Sequence, residues 1–245
     1  MIFLSVVIFV ILIFIVAYKY YEKYYKIAKK ETSSESDKYY YTYNINTGPK
    51  FSQKTMVTLI KPSKPEDLIE YSIPSSYSIL EKNTLSICTN LKDLYLLENI
   101  YLIEDKSFLY CDNLVNINVH ENNNNYSSKK GVLFTKDLKE IICYPSSKQS
   151  STYLIPDKVE IINSFSFTNN QFLKYLILSN NVTTISENAV NSCKFLKQIV
   201  IPANVTNIHP MAFNMCPRIS IRGYKNSVAE EYCNKYFIPF EYLNS

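Results

Sequence analysis

Residues 196–216 read LKQIVIPANVTNIHPMAFNMC, and this stretch decides the fold. Ile199 and Ile201 alternate with Gln198 and Val200, the period of a strand that turns one face inward. Pro202 has no N–H to donate and ends that strand. Val205 and Ile208 point inward across a turn. Ala212, Phe213 and Cys216 stand at the spacing of one helical turn, which predicts a short helix that closes the coil.

Working outward, the same apolar columns recur at a step of 23 residues. Val159, Val182 and Val205 form one column, and Ile162, Ile185 and Ile208 another. Phe167, Val190 and Phe213 keep the step, as do Leu173, Leu196 and Ile219, and Ile155, Leu178 and Ile201. Earlier in the chain the columns are Ile73, Leu96 and Val119; Leu80 and Ile103; Leu85 and Phe108; Cys88 and Cys111; Leu91 and Leu114. No single unit has an apolar face it can bury alone. Stacked neighbours share one continuous core, so the array depends on its interfaces and caps.

The unit resembles that of the BspA-like leucine-rich repeat family, whose consensus runs L-x-x-I-x-I-P-x-x-V-x-x-I-x-x-x-A-F-x-x-C. Ile201-Pro202, Val205-Thr206, Ile208, Ala212-Phe213 and Cys216 carry the likeness, which extends from about Leu68 to the C-terminus. The resemblance implies an α/β leucine-rich-repeat solenoid with short strands and one-turn helices. It also implies a surface or adhesion-type binding protein rather than an enzyme. Asn170 stands in place of the column cysteine, Ser179 in place of the proline and Val190 in place of the phenylalanine.

Between Val119 and Ile155 the step widens to 36, leaving 13 extra residues. Gly131–Thr135 and Glu140–Pro145 are strand-like runs around the polar turn Lys136–Lys139, which predicts a β-hairpin insertion near residues 120–154. The repeats then occupy 68–224. A cap over 225–245 follows, opened by the capping box Ser227-Val228-Ala229-Glu230. Val228, Tyr232, Cys233 and Tyr236 would face the core from a short helix that Pro239 stops, and Phe240–Leu243 would add a last strand.

Residues 1–17 are almost wholly Ile, Val, Leu and Phe, close to the minimum for a helix that crosses a bilayer. Tyrosines and the lysines Lys19, Lys23 and Lys26 follow, as at a membrane interface. The expectation is a single-pass anchor with a juxtamembrane segment over 1–30 and a linker over 31–67. A cleaved signal peptide is the alternative, and would make the chain secreted. The lysines lie after the apolar run and favour a cytoplasmic flank, whereas a cell-surface role needs the opposite orientation. Both orientations stay open: a surface binding protein, or a cytoplasm-facing scaffold.

The composition excludes several classes. Only Gly48, Gly131 and Gly223 are present, too few and too scattered for a phosphate-binding loop or a dinucleotide fingerprint. The formal charge is +4 and the lysines are spread along the sequence, so the repeats are expected to lack a basic cluster and nucleic acid is not an expected partner. No two of the six cysteines form a C-x-x-C pair, and no cofactor or metal site is expected. Cys88, Cys111, Cys193 and Cys216 fall in the inward column, where small buried hydrophobes suffice. His120 and His209 fall in turns outside the columns, and no catalytic residue is assigned.

The candidate site is the outward side of the strands, where the residues between inward ones point to solvent. These are Asp93, Tyr95, Asn116, Asn118, Tyr175, Ile177, Gln198 and Val200, offered to a protein or other surface macromolecule. Three glycosylation sequons begin at Asn125, Asn181 and Asn204. Asn181 and Asn204 coincide with the repeat's own turn, so Asn125 is the candidate acceptor.

Overall fold

The computed structural model describes residues 38–42, 58–62 and 68–243, apart from Ser76 and Ile87. The expected anchor over 1–17 lies outside them, and among the described residues no helix is long and apolar enough to cross a membrane. The chain divides into two units, Met1–Ser63 and Lys64–Ser245. In the first, within the stretch expected as a linker, β1 (Lys38–Thr42) pairs antiparallel with β2 (Thr58–Pro62).

The second unit is a stack of coils. Its first strands are β3 (Glu70–Ser72), β4 (Ile79–Leu80), β5 (Asp93–Leu96), β6 (Leu102–Ile103) and β7 (Asn116–Val119). β3, β5 and β7 form one parallel sheet, and β4 and β6 another. Then come β8 (Tyr126–Lys129), β9 (Val132–Thr135) and β10 (Glu140–Cys143), an antiparallel meander. The expected β9–β10 hairpin is present. An additional strand, β8, joins it through the two-residue turn Lys130-Gly131, where φ is +50° and +76°. Positive φ at both turn residues matches the twist of a tight hairpin.

The remaining coils supply β11 (Thr152–Leu154), β12 (Ile161–Ile162), β13 (Phe167–Thr168), β14 (Tyr175–Ile177), β15 (Thr184–Ile185), β16 (Val190–Asn191), β17 (Gln198–Val200), β18 (Asn207–Ile208) and β19 (Ser220–Gly223). Helix α1 (Val228–Tyr236) and β20 (Phe240–Tyr242) close the array. The sheet β11-β14-β17-β19-β20 forms one face, β12, β15 and β18 continue from β10 along a second, and β13 pairs with β16 on a third.

This corrects one expectation. The segments after Ser164 and Glu187 are not one-turn helices, and the coils are mostly strand rather than α/β. Phe165 and Asn188 hold φ of +59° and +51°, and Asn169 and Ser192 hold +50° and +55°, so no run long enough for a helical turn survives between them. The N–H groups of Phe167 and Val190 donate instead to Ala189 and Ala212 carbonyls of the next coil, at 2.8 and 2.9 Å.

The 23-residue columns are the core. Val159, Val182, Val205, Ile162, Ile185, Leu173, Leu196, Leu91 and Leu114 are all nearly inaccessible. Three column members, Ile103, Phe108 and Val119, are only half-buried. They lie in the coil that meets the insertion, where Ile103 and Phe108 line a cavity of about 310 Å³ left by the break in regular stacking. Part of the break is bridged by polar groups: Ile103 N–H donates to the Tyr126 hydroxyl at 2.9 Å, and Asn169 Nδ2 to Asp112 Oδ1 at 2.7 Å.

Candidate binding surface

Alternation along each strand sets the surface. Leu94, Leu96 and Ile117 point inward and are buried, so Asp93, Tyr95, Asn116 and Asn118 point out. Parallel register aligns them into rows: Glu70, Asp93 and Asn116, and beside them Ser72, Tyr95 and Asn118. Asn116 Nδ2 donates to Asp93 Oδ1 at 2.8 Å, so this row is polar and internally bonded.

Across the later coils the rows are Thr152, Tyr175, Gln198 and Ser220, and Leu154, Ile177, Val200, Arg222 and Glu241. Leu154 is 65% exposed and Tyr175 41%. The second row has three apolar side chains, of which Ile177 and Val200 are half-buried, followed by Arg222 and Glu241. Among the described residues Arg222 Nε has no hydrogen-bond partner, while Gln198 Nε2 donates to Glu241 Oε2 at 3.1 Å.

The eight candidate residues therefore fall on two sheets. Asp93, Tyr95, Asn116 and Asn118 share one; Tyr175, Ile177, Gln198 and Val200 share the other; no strand pairing joins β7 to β11. The β8–β9 turn occupies the far edge of β7, where Ile117 N–H donates to the Gly131 carbonyl at 3.0 Å and Val119 N–H to Ser128 Oγ at 3.1 Å. Leu154, Arg222 and Glu241 were missed from sequence. Leu154 belongs to the coil displaced by the insertion, and Arg222 and Glu241 follow a 22-residue step and the cap, so the column rule did not reach them.

The cysteines are structural. Cys111 Sγ donates to Leu85 O, Cys193 to Phe167 O and Cys216 to Val190 O, each at 3.4 Å and each to the preceding coil. Burial pushes Cys88 up to about 11 and Cys233 up to about 12, so their thiolates are disfavoured. The hydrogen bond with Cys216, and then burial, raise Cys193 well above the ordinary thiol range. Asn170, in the cysteine column, donates Nδ2 to Pro145 O at 3.0 Å and accepts from Phe172 and Leu173 N–H.

His120 Nδ1 lies 3.5 Å from Glu98 and His209 Nδ1 accepts from Met211 N–H, so each is engaged locally. Among the described residues no cluster of three metal-ligating side chains forms. Asn125 is exposed just before β8. Asn181 and Asn204 are exposed too, but each donates Nδ2 to a carbonyl of the preceding coil at 2.7 Å.

The model of the BspA type leucine rich repeat region matches six copies over residues 64–130 and 139–236. A leucine-rich repeat protein from Eubacterium ventriosum is 26% identical, with a TM-score of 0.58 over 64% of this chain and 42% of that one. The pneumococcal vaccine antigen PcpA is 23% identical, with a TM-score of 0.51 over 65% of this chain and 52% of that one. This chain thus spans about half the length of these structures or less. No functionally curated protein matches it.

Proposed function

This chain belongs to the BspA-type leucine-rich repeat family, and from that premise we propose that it is a non-catalytic binding protein, tethered to a membrane by residues 1–17, that captures a protein or other macromolecule on its strand face. The observation that carries this reading is the apolar row Leu154–Ile177–Val200 along three stacked coils, with Leu154 exposed, Ile177 and Val200 half-buried, and the exposed ring of Tyr175 beside them. Exposed apolar surface of this kind marks contact sites on otherwise polar proteins. Asp93, Tyr95, Asn116 and Asn118 supply a separate polar platform on the sheet before the insertion. In the cell-surface form of the reading, Asn125 is the glycan acceptor, since its side chain is exposed and uncommitted.

A cytoplasm-facing scaffold is the second reading, favoured by Lys19, Lys23 and Lys26 on the flank after the apolar run. Protease shaving of intact cells bearing a C-terminal tag separates the two: loss of the tag supports the surface reading, protection supports the scaffold. Capture is tested with Tyr175→Ser and Ile177→Ser. Weaker retention of the surface ligand with unchanged thermal unfolding is expected, and undiminished retention would overturn the assignment of this face.

A further inference from the structure

Residues 68–243 hold sixteen basic and sixteen acidic side chains, yet from Ile161 to Ala229 there are six cations and a single carboxylate, Glu187. The coil step decides where those cations go. Lys197 N–H donates to Lys174 O and Ser220 N–H to Lys197 O, each at 2.8 Å, so the two lysines are stacked one coil apart at the corner that feeds the strand face. At this corner Leu173, Leu196 and Ile219 turn inward and are buried, which leaves their neighbours outside.

Phe172 is 39% exposed and Phe195, one coil on, 49%. Lys174, Lys194, Lys197 and Arg218 are exposed around them. Among the described residues no ion pair involves any of these four. Glu187 lies in a different turn, where its carboxylate accepts from Asn188 Nδ2. Two carboxylates from outside this stretch approach the corner, Asp112 accepting from Asn169 Nδ2 at 2.7 Å and Glu241 from Gln198 Nε2 at 3.1 Å, and neither pairs with the four cations. The expectation that the repeats lack a basic cluster is therefore corrected: charges scattered in sequence are gathered by the stacking.

Like charges one coil apart repel, and two exposed phenyl rings give up apolar burial. Both costs are offset at an anionic surface with an apolar interior. We propose that this corner docks on the anionic headgroups of a lipid bilayer. The two rings enter the boundary between headgroups and acyl chains, and the long lysine stems carry their ammonium groups to the phosphates. The apolar run at 1–17, read as a membrane insert, would keep the repeats within reach of such a surface. The corner is a different surface from the strand face, and it rests on the proposed membrane attachment only for the tether.

The chain contains no tryptophan, so Phe195→Trp places a unique fluorophore at the corner. The full-length variant is reconstituted with phosphatidylglycerol or phosphatidylcholine vesicles carrying brominated acyl chains. Quenching is expected with phosphatidylglycerol, reversed at about 0.5 M salt, and weak with phosphatidylcholine. Adding Lys174→Glu, Lys194→Glu and Lys197→Glu should lower the docked-to-undocked ratio by about a hundredfold or more, with far-ultraviolet circular dichroism unchanged. The proposal is overturned by absent quenching on phosphatidylglycerol, by equal quenching on both lipids, or by quenching that survives the triple reversal. An acidic protein or single-stranded nucleic acid that shifts the tryptophan emission while brominated lipid does not would also overturn it. Flotation of the same samples on phosphatidylcholine reports the tether separately, so loss of attachment and loss of docking are distinguishable.

Discussion

Ile117 N–H donates to the Gly131 carbonyl at 3.0 Å, and that bond puts the tip of the β8–β9 turn where the next coil's strand would otherwise pair. The insertion thereby splits the outward strand face into a polar platform before it and an apolar strip after it.

Gly131 is the residue that permits this approach. Its φ is +76°, and a Cβ there would run into Asn116 Oδ1. Gly131→Ala should destabilise the repeats by about 1–3 kcal/mol in urea unfolding. Pairing it with Asn116→Ala should recover part of that loss by removing the Oδ1 contact, but not the part set by backbone conformation or by the Cα and Cβ of residue 116 at 3.1 Å. Equal stability of Gly131→Ala and the parent would contradict the close approach.

Asn170 satisfies one carbonyl and two N–H groups while buried among apolar columns. Asn170→Ala leaves all three without that partner and should cost about 1–3 kcal/mol or more. Asn181, in the repeat turn, is exposed and makes one such bond. Asn181→Ala should stay within about 0.5 kcal/mol. Similar losses for both would show that the buried asparagine has no special role.

The raised thiols predict a pH dependence. Cys88 and Cys233 move from near 9 to about 11 and about 12 because burial disfavours the thiolate. The unfolded chain releases these protons first, so their contribution to stability is full below about pH 9 and falls as pH rises through the folded values. Denaturant midpoints should decline across that alkaline window. At neutral pH a thiol-alkylating reagent should modify Cys88 and Cys233 only as fast as the chain opens; rapid labelling of either in the folded protein would refute this.

The cap offers two opposed changes. Ser227 Oγ accepts from Glu230 N–H at 3.3 Å and donates to Tyr224 O, so Ser227→Ala should cost about 0.5–2 kcal/mol. Phe237 holds φ of +56° with 93% of its surface exposed. Phe237→Gly relieves the left-handed cost without losing packing and should raise stability by up to about 1 kcal/mol. Thermal shifts of opposite sign in the two variants are the expected result.

Much of the architecture was legible because a repeat states its constraint many times. Each inward column appears in several coils, so Val159, Val182 and Val205 reinforce one another and no single substitution hides the period. The cap was legible from local chemistry, though one detail differs: Glu230 accepts from Asn226 N–H rather than from that of Ser227 itself. The short helices were misjudged because a spacing of one helical turn also suits a bent coil. The left-handed residues Phe165, Asn188 and Ser192 carry no glycine to announce them.

By itself, then, the sequence determined the stacked coils, their inward columns, the place of the insertion and the capping helix, since each follows from periodicity or from neighbours in the chain. Only the tertiary structure decided that the strand face is split, because the β8–β9 turn meets β7 through contacts of high sequence separation. Only stacking, likewise, brings Lys174, Lys194, Lys197 and Arg218 to one corner, for residues a coil apart in sequence become neighbours in space.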